Sequence, residues 1–387
     1  MKKLTLFASA IVAVLAVSSC SNDELEPIVE KKGTPLSITV SSIGDTRGAN
    51  VVTSGLQHLN LTAKQGTTTW ANDVTFNYAK SVWTGEANWP TEDKTTASNF
   101  YVISENATGT KSYSTTNVTN YLTSGTTFNY TVPVPVFAGS GATMTETAQP
   151  DLLVATASQA EGDGPLALEL EHALANIQIK AALPTKYYNA GWATTKVPAG
   201  SIYKIKKITI KNLFTSGTYD YANTTSPWAT TGDRSNIEIL FSEPITITAV
   251  DPEESGSNKI KESAYVTLVG PNAAIRVIPQ TIAVWTPSTT TVASITNQTY
   301  MEVDAFCFKS ASKDDDGFYN DDSYFNAEPT SEMNPSDDEY FTKVYIPIKI
   351  TGNEFKYNTN HTFKINLINS YKANGSRALQ GIQIVGG

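Results

Sequence analysis

An all-β sandwich is the fold class that this 387-residue sequence predicts, and three observations lead to it. Thr, Asn, Ser and Tyr are abundant and Met is scarce, a balance that suits pleated strands and turns. Beyond the N-terminal segment, no window shows apolar residues at helical spacing, whereas short alternating runs separated by turn clusters recur throughout. A chain of this length can bury two cores, so two sandwich domains are predicted in tandem.

The first domain is predicted over residues 36–184. It opens with a short strand at 36–40, whose apolar side chains alternate toward one face. Pro133 and Pro135 bracket Val134, which predicts a strand end or an edge there. Further strands are predicted at 56–63, 74–78, 100–104, 128–134, 152–155 and 166–170, the last of them leading into an apolar run to 183.

The second domain is predicted over residues 200–387, after a boundary rich in turn formers at 184–200. An acidic, Asn-rich stretch without strand signals, residues 310–340, is interpreted as a long surface loop. The predicted strands are 205–213, 237–241, 245–250, 265–268, 274–278, 282–285, 301–308, 344–350 and 363–368.

The N-terminus carries a short apolar run, residues 4–17, behind two lysines. The run is too short to cross a bilayer, which needs about 20 residues, and a Val-Ser-Ser-Cys stretch follows it. This resembles a bacterial lipoprotein signal, so residues 1–19 are predicted to be removed and Cys20 to be lipidated. Residues 20–35 then form a flexible tether. The alternative is an ordinary secretory signal with a chance cysteine.

Net charge and cysteine content exclude several classes of partner and bond. The formal net charge is −9, which disfavours nucleic acid and anionic lipid surfaces because both require clustered Lys and Arg. The sequence contains 2 cysteines, and with Cys20 lipidated Cys307 has no partner for an internal disulfide. Cys307 lies in an alternating run, so we interpret it as a buried small hydrophobe.

No catalytic motif, cofactor motif or metal-binding motif is present, and the chain is predicted not to be an enzyme. The histidines His58, His172 and His361 are scattered next to apolar residues, which favours structural roles. The acidic clusters at 314–322 and 337–339 fail the spacing of a calcium-binding EF-hand loop and are interpreted as solvated surface. A carboxylate pair for glycoside hydrolysis remains a weak alternative, because its separation is a three-dimensional quantity.

The six tryptophans, with many tyrosines, permit a platform on which sugar rings stack. Most aromatic residues of β-sandwiches are core residues, however. We therefore predict that Trp285, at the end of an alternating strand, lies in the core and that Trp89, before Pro90, packs under a loop.

Three parts of the sequence together resemble the fimbrillin family of Bacteroidetes, the subunits of type V pili. Leu170 stands where the family pattern has Phe, and the resemblance covers most of the chain from about Leu36 onward. The matching parts are 149–155 with 166–180, 208–220 with Trp228, and 277–280 with 355–367.

The resemblance implies two transthyretin-like β-sandwich domains and assembly by strand exchange. In the family, an arginine-directed protease cuts behind the first strand of a lipidated precursor, and Arg47-Gly48 matches that position. No other Lys or Arg occurs between residues 33 and 63. Cleavage there would remove the strand at 36–40 and open an apolar groove for a neighbour's C-terminal strand. The alternative is that Arg47 is an ordinary surface residue of the loop.

The C-terminal segment offers two candidate donor strands. The first carries Phe363, Ile365 and Leu367, and the second carries Leu379, Ile382 and Ile384. The predicted partners are other copies of the chain or related pilins, the outer membrane through the lipid, and surface glycans or proteins of the host or of bacteria.

The predicted function is a structural or adhesive pilus subunit, and the alternative is a surface glycan-binding outer-membrane lipoprotein. The acidic tether after Cys20, residues 21–26, resembles the signal that sends Bacteroidetes lipoproteins to the outer face of the outer membrane. The predicted location is therefore the cell surface, with transfer to the fimbrium after processing.

Overall fold

Strands make up most of the regular structure, so the prediction of an all-β chain is confirmed. The computed structural model describes residues 33–42, 55–91, 94–123, 125–138, 145–146, 149–188, 194–196, 202–251, 260–270, 274–286, 292–308 and 339–367. None of the helices among these residues is long and apolar enough to cross a membrane.

The strands of the first half are β1 (Ile38–Ser42), β2 (His58–Gln65), β3 (Thr68–Ala79), β4 (Val82–Thr84), β5 (Ser98–Ser104), β6 (Val118–Thr119), β7 (Thr127–Thr131), β8 (Phe137–Ala138), β9 (Thr145–Glu146), β10 (Leu153–Gln159) and β11 (Leu166–His172). Those of the second half are β12 (Ala175–Pro184), β13 (Lys186–Tyr188), β14 (Thr194–Lys196), β15 (Ile202–Asp220), β16 (Trp228–Val250), β17 (Val266–Val269), β18 (Ile275–Val277), β19 (Gln280–Thr281), β20 (Ala283–Val284), β21 (Gln298–Phe308), β22 (Glu339–Pro347), β23 (Glu354–Phe355) and β24 (Asn360–Asn366). Short 3-10 helices lie at Glu262–Ala264, Val292–Ser294 and Thr351–Asn353.

The first sheet has the strand order β1-β11-β10-β5-β2-β3-β4. Its neighbours pair antiparallel from β11 to β4, whereas β1 pairs parallel to β11. Leucines at alternate positions of β11 and aromatic residues of β3 and β5 build one core under this sheet. Side chains of β1 belong to the same core, which places the first strand at the edge of a packed layer.

The second sheet is built around β12 and the long hairpin of β15 and β16. β24 lies parallel to β12 over seven residue pairs, and β21 and β22 extend the other side of the hairpin. The sequence suggested two strands, 237–241 and 245–250, where the structure has one strand. Their separation corresponds to an irregularity in the hairpin register around Pro244, between the pairs Ile205–Ile245 and Lys207–Leu240.

A third, aromatic core joins the two sheets, and we call it the junction core. Phe128, Tyr130, Tyr219, Tyr221 and Trp228 are its large members, and ring centroids within this group lie 5.1–6.3 Å apart. The end of the long hairpin reaches this core because β7, from the first half, pairs with β15.

Sheet membership changes between β11 and β12. β11 lies in the first sheet and β12 in the second, although the sequence assigned both to residues 36–184. The division into domains at 184–200 stays a prediction.

Candidate functional site

The edge of the first sheet is occupied by β1, which runs parallel to β11. The pairing is continuous from Ile38 opposite Leu166 to Ser42 opposite Leu170. It is continued at its start by a hydrogen bond of 2.8 Å from the Leu166 N–H to the Ser37 carbonyl. Hairpins join antiparallel strands, so the parallel pairing of β1 with β11 requires a longer connection between the two strands.

The residues just before β1 pair with a different part of the molecule. The Leu36 N–H donates to the Ala87 carbonyl at 2.9 Å, and the Trp89 N–H donates to the Thr34 carbonyl at 2.8 Å. Residues 87–89 follow β4, the opposite edge strand of the sheet. Residues 34–42, which we call the seam segment, therefore bind β11 on one side and the extension of β4 on the other.

Side chains of the seam segment alternate as the sequence predicted. Leu36 and Ile38 are buried at 5% and 6% exposure, and Val40 packs partly buried against the same core. Thr39 and Ser41, between and beyond them, are exposed. The segment thus behaves as a strand with one apolar face, and each buried aliphatic side chain contributes about 1.5–3 kcal/mol.

Two features hold the start of the seam segment in place. The Thr34 hydroxyl donates to Glu161 at 2.7 Å, and Lys94 donates to the same oxygen at 2.9 Å. These hydrogen bonds lower the pKa of Glu161. Gly33 passes so close to Trp89 that a Cβ there would lie 1.7 Å from the Trp89 carbonyl oxygen.

The predicted cleavage site, Arg47-Gly48, lies outside the described residues, and so does the predicted lipidation site, Cys20. Arg47 follows the last residue of β1 by five positions in the sequence. The donor candidates Leu379, Ile382 and Ile384 also lie outside the described residues.

The other donor candidates form part of the second sheet in this structure. Phe363, Ile365 and Leu367 are fully buried in the core of that sheet. Phe363 and Ile365 stand opposite Ile179 and Ala181 of β12, in a parallel pairing. A strand so placed is already part of a sheet within its own chain.

Histidines and tryptophans singled out by the sequence are mostly packing residues. His172 is buried with Nδ1 2.5 Å from the Asp151 carboxylate, and His361 accepts a hydrogen bond from the Lys356 N–H at 3.3 Å. Trp285 is fully buried and Trp89 stacks on Trp70, which confirms the packing roles predicted for Trp285 and Trp89.

His58 lies at the surface end of β2, with its Nδ1 2.7 Å from the amide oxygen of Asn77. The acidic clusters at 314–322 and 337–338 lie outside the described residues, as does the side chain of Cys307. No group of three metal-binding side chains occurs within the described part of the chain.

The contact of the seam segment with residues 87–89 was not predicted from the sequence. Trp89 and the following Pro90 were the only local signal, because a tryptophan before a proline indicates an extended, packed residue. The partner of Trp89 is Thr34, which lies 55 positions away in the sequence, and no local pattern specifies that pairing.

Comparison with known proteins gives structural similarities only. No protein-family model matches the sequence, and no curated protein matches it. A fimbrial protein from Bacteroides vulgatus ATCC 8482 is similar with 12% identity and a TM-score of 0.44, over 91% of this chain and 98% of that chain. A fimbrilin from Porphyromonas gingivalis W83 is similar with 10% identity and a TM-score of 0.39, over 91% of this chain and 94% of that chain.

Proposed function

We propose that this chain is the precursor of a cell-surface pilus subunit that assembles by strand exchange after proteolysis. The observation that carries the proposal is the seam segment, which fills the gap between β11 and residues 87–89 and precedes Arg47 by a few positions. Cleavage after Arg47, before Gly48, would separate the seam segment from the rest of the chain.

Loss of the seam segment would leave an opening that favours a replacement strand. The N–H and C=O groups of β11 and of residues 87–89 would lose their partners, and the core would lose the side chains of Leu36, Ile38 and Val40. A strand from another copy can restore both kinds of contact by β-augmentation. Because donor and acceptor surfaces differ, such contacts are head-to-tail and build an open filament.

The donor in this proposal is the extreme C-terminus with Leu379, Ile382 and Ile384, since Phe363, Ile365 and Leu367 already pack in their own sheet. The proposal further includes two transthyretin-like domains and a precursor anchored in the outer membrane by lipidated Cys20. These elements rest on the sequence resemblance.

The experiment uses the full mature chain with Cys20 replaced by Ser, so that the protein is obtained without lipid. Limited digestion with trypsin is expected to cut after Arg47 and to convert the monomer into polymers, seen by size-exclusion chromatography and electron microscopy. Arg47→Ala should remain monomeric. Lys80→Ala, which removes another exposed basic residue in a turn, is the matched control and should polymerise normally. Polymers of normal length from Arg47→Ala, or a cut chain that stays monomeric, would contradict the proposal.

A further inference from the structure

A cleft of about 710 Å³ lies beside the junction core, where the first sheet meets the second. It is bounded by Glu171 at the end of β11, by the segment 225–230 that enters β16, by residues 279–281 and by the turn at 354–359. This volume is in the range of small-ligand sites, which occur preferentially where two layers or domains meet. The seam segment contributes nothing to its walls.

The apolar part of the cleft is anchored in the junction core through Trp228. Trp228 lines it, and its indole N–H donates to the Ala173 carbonyl at 2.6 Å. Trp228 also packs edge-on against Phe128 and Tyr219 in the junction core. The proline rings of residues 227 and 279 add further apolar surface to the cleft.

Tyr357 lines both this cleft and a smaller cavity of about 180 Å³, as do Glu171 and Pro227. Its hydroxyl donates to the Thr224 carbonyl at 3.3 Å, which ties the turn at 354–359 to the loop before β16. The ring of Tyr357 is half-buried, so part of its face is available to a ligand.

The polar part of the cleft centres on Glu171. Burial raises the pKa of this carboxyl, and the charge of the nearby Glu169 raises it further. No ion pair with another described residue compensates that charge. Burial raises the pKa values of Tyr219 and Tyr357, and the charge of Glu171 raises both further. The remaining rim carries hydroxyl, carboxylate and ammonium groups from Thr225, Ser226, Thr230, Thr281, Glu354 and Lys356.

This lining selects among ligand classes. A strongly anionic ligand would meet the carboxylates of Glu171 and Glu354 with only Lys356 to compensate. A wholly apolar ligand would leave the buried part of Glu171 without water or a partner. A sugar ring suits both the polar and the apolar part of the cleft, since it offers hydroxyl donors to a carboxylate and an apolar face to an aromatic ring.

We propose that this cleft binds a short neutral oligosaccharide. Hydroxyl groups of the ligand donate to the Glu171 carboxylate, and one sugar ring packs on the face of Tyr357. The site is independent of strand exchange, and it would give the subunit an adhesive role in addition to a structural one.

The test uses the mature chain with Cys20 replaced by Ser and a glycan array that includes neutral tri- to hexasaccharides, sialylated glycans and heparin fragments. Isothermal titration calorimetry then measures affinity for the neutral oligosaccharide with the strongest array signal. Glu171→Gln and Tyr357→Ala should each weaken binding about tenfold or more, while Tyr357→Phe, which keeps the ring, should stay within about threefold. Glu238→Gln, an exposed carboxylate away from the cleft, is the matched control.

Glu171→Gln is expected to fold at least as stably as the parent chain, because the raised pKa means that the folded state disfavours the charge. A thermal melt checks this and separates loss of binding from loss of fold. The proposal is overturned if no neutral glycan binds, if only heparin or sialylated glycans bind, or if Glu171→Gln and Tyr357→Ala leave the affinity unchanged.

Discussion

At the scale of single residues, buried polar side chains fix the loops of the first half. Glu105 is 7% exposed and accepts hydrogen bonds from the Ser114 N–H, the Asn117 side chain and the Tyr130 hydroxyl at 2.7, 3.1 and 2.8 Å. The carboxylate therefore ties the turn around residue 114 to a strand of the junction core. A charged acceptor with several donors is worth more than neutral pairs of the same geometry.

Glu105→Gln should destabilise the fold by about 2–3 kcal/mol, because an amide nitrogen cannot accept and would face a donor. Tyr130→Phe removes a single donor and should cost only about 1–1.5 kcal/mol. Urea denaturation monitored by tryptophan fluorescence measures both values. Equal stabilities of Glu105→Gln and the parent chain would show that the network does not hold this loop.

At the scale of elements, the seam segment differs from the strands around it. Its hydrogen bonds go to two separate parts of the first half, and Gly33 precedes it at a contact that leaves no room for a side chain. A substitution at Gly33 can therefore weaken the start of the seam segment and leave unchanged the side chains that fill the core.

Gly33→Ala should loosen the seam segment, since its Cβ would clash with the Trp89 carbonyl, and overpacking of this kind costs about 1–3 kcal/mol. Hydrogen exchange should become faster at the amides of Leu36 and Trp89, and polymerisation after cleavage at Arg47 should be faster too. Gly55→Ala is the control, because a Cβ there meets nothing within 4 Å. Unchanged exchange in Gly33→Ala would mean that residues 34–36 are not anchored by this contact.

The contact between β12 and β24 is reinforced by ion pairs whose contribution to stability depends on pH. Lys180 of β12 and Lys364 of β24 stand opposite each other, and Glu262 bridges them with two contacts of 2.8 Å. These bonds lower the pKa of Glu262 to about 2. The carboxylate is ionised in the folded state above that value, so its contribution to stability is present above its ordinary pKa and is lost as the pH falls toward 2.

Glu262→Gln should therefore lower the free energy of unfolding by about 1 kcal/mol at pH 7, a small value because the group is largely exposed. The difference from the parent chain should shrink between pH 4.5 and pH 2, the interval between the two pKa values. Urea denaturation at several pH values measures it. A difference that stays constant down to pH 2 would exclude the ion pairs as its source.

At the scale of the whole molecule, the two halves are joined by more than a linker. The hairpin of β15 and β16 belongs to the second sheet, yet its end packs into the junction core beside β7 of the first half. β24 pairs with β12 of the second sheet, and the C-terminal residues follow it in the sequence. Phe363, Ile365 and Leu367 therefore belong to the second sheet, whereas the donor candidates Leu379, Ile382 and Ile384 lie outside the described residues.

Deletion of residues 379–387 should leave a folded monomer that fails to polymerise after cleavage at Arg47. Ile382→Asp and Ile384→Asp should act in the same way, because a charge in an apolar groove is strongly disfavoured. Thermal melting and size-exclusion chromatography give the two readouts. A truncated chain that unfolds or aggregates would show instead that this segment is an edge strand of its own domain.

The sequence by itself determined that the chain forms strands, and it determined much of the alternation between buried and exposed side chains. Alternation at Leu36, Ile38 and Leu166 sufficed, because a strand has a period of two and one buried face. The end of β7 before Pro133 also follows from a local signal, since proline has no N–H to donate to a neighbouring strand.

The tertiary structure decided which strands are neighbours. The parallel pairing of β1 with β11, the contact of residues 34–36 with 87–89 and the cleft at Glu171 join parts of the chain that are far apart in sequence. Strand pairing depends on long-range packing and on the satisfaction of backbone groups across the sheet, and neither leaves a local pattern. For the same reason, Phe363 and Ile365 could be predicted as strand residues, but only the fold shows that their neighbour is β12 of the same chain.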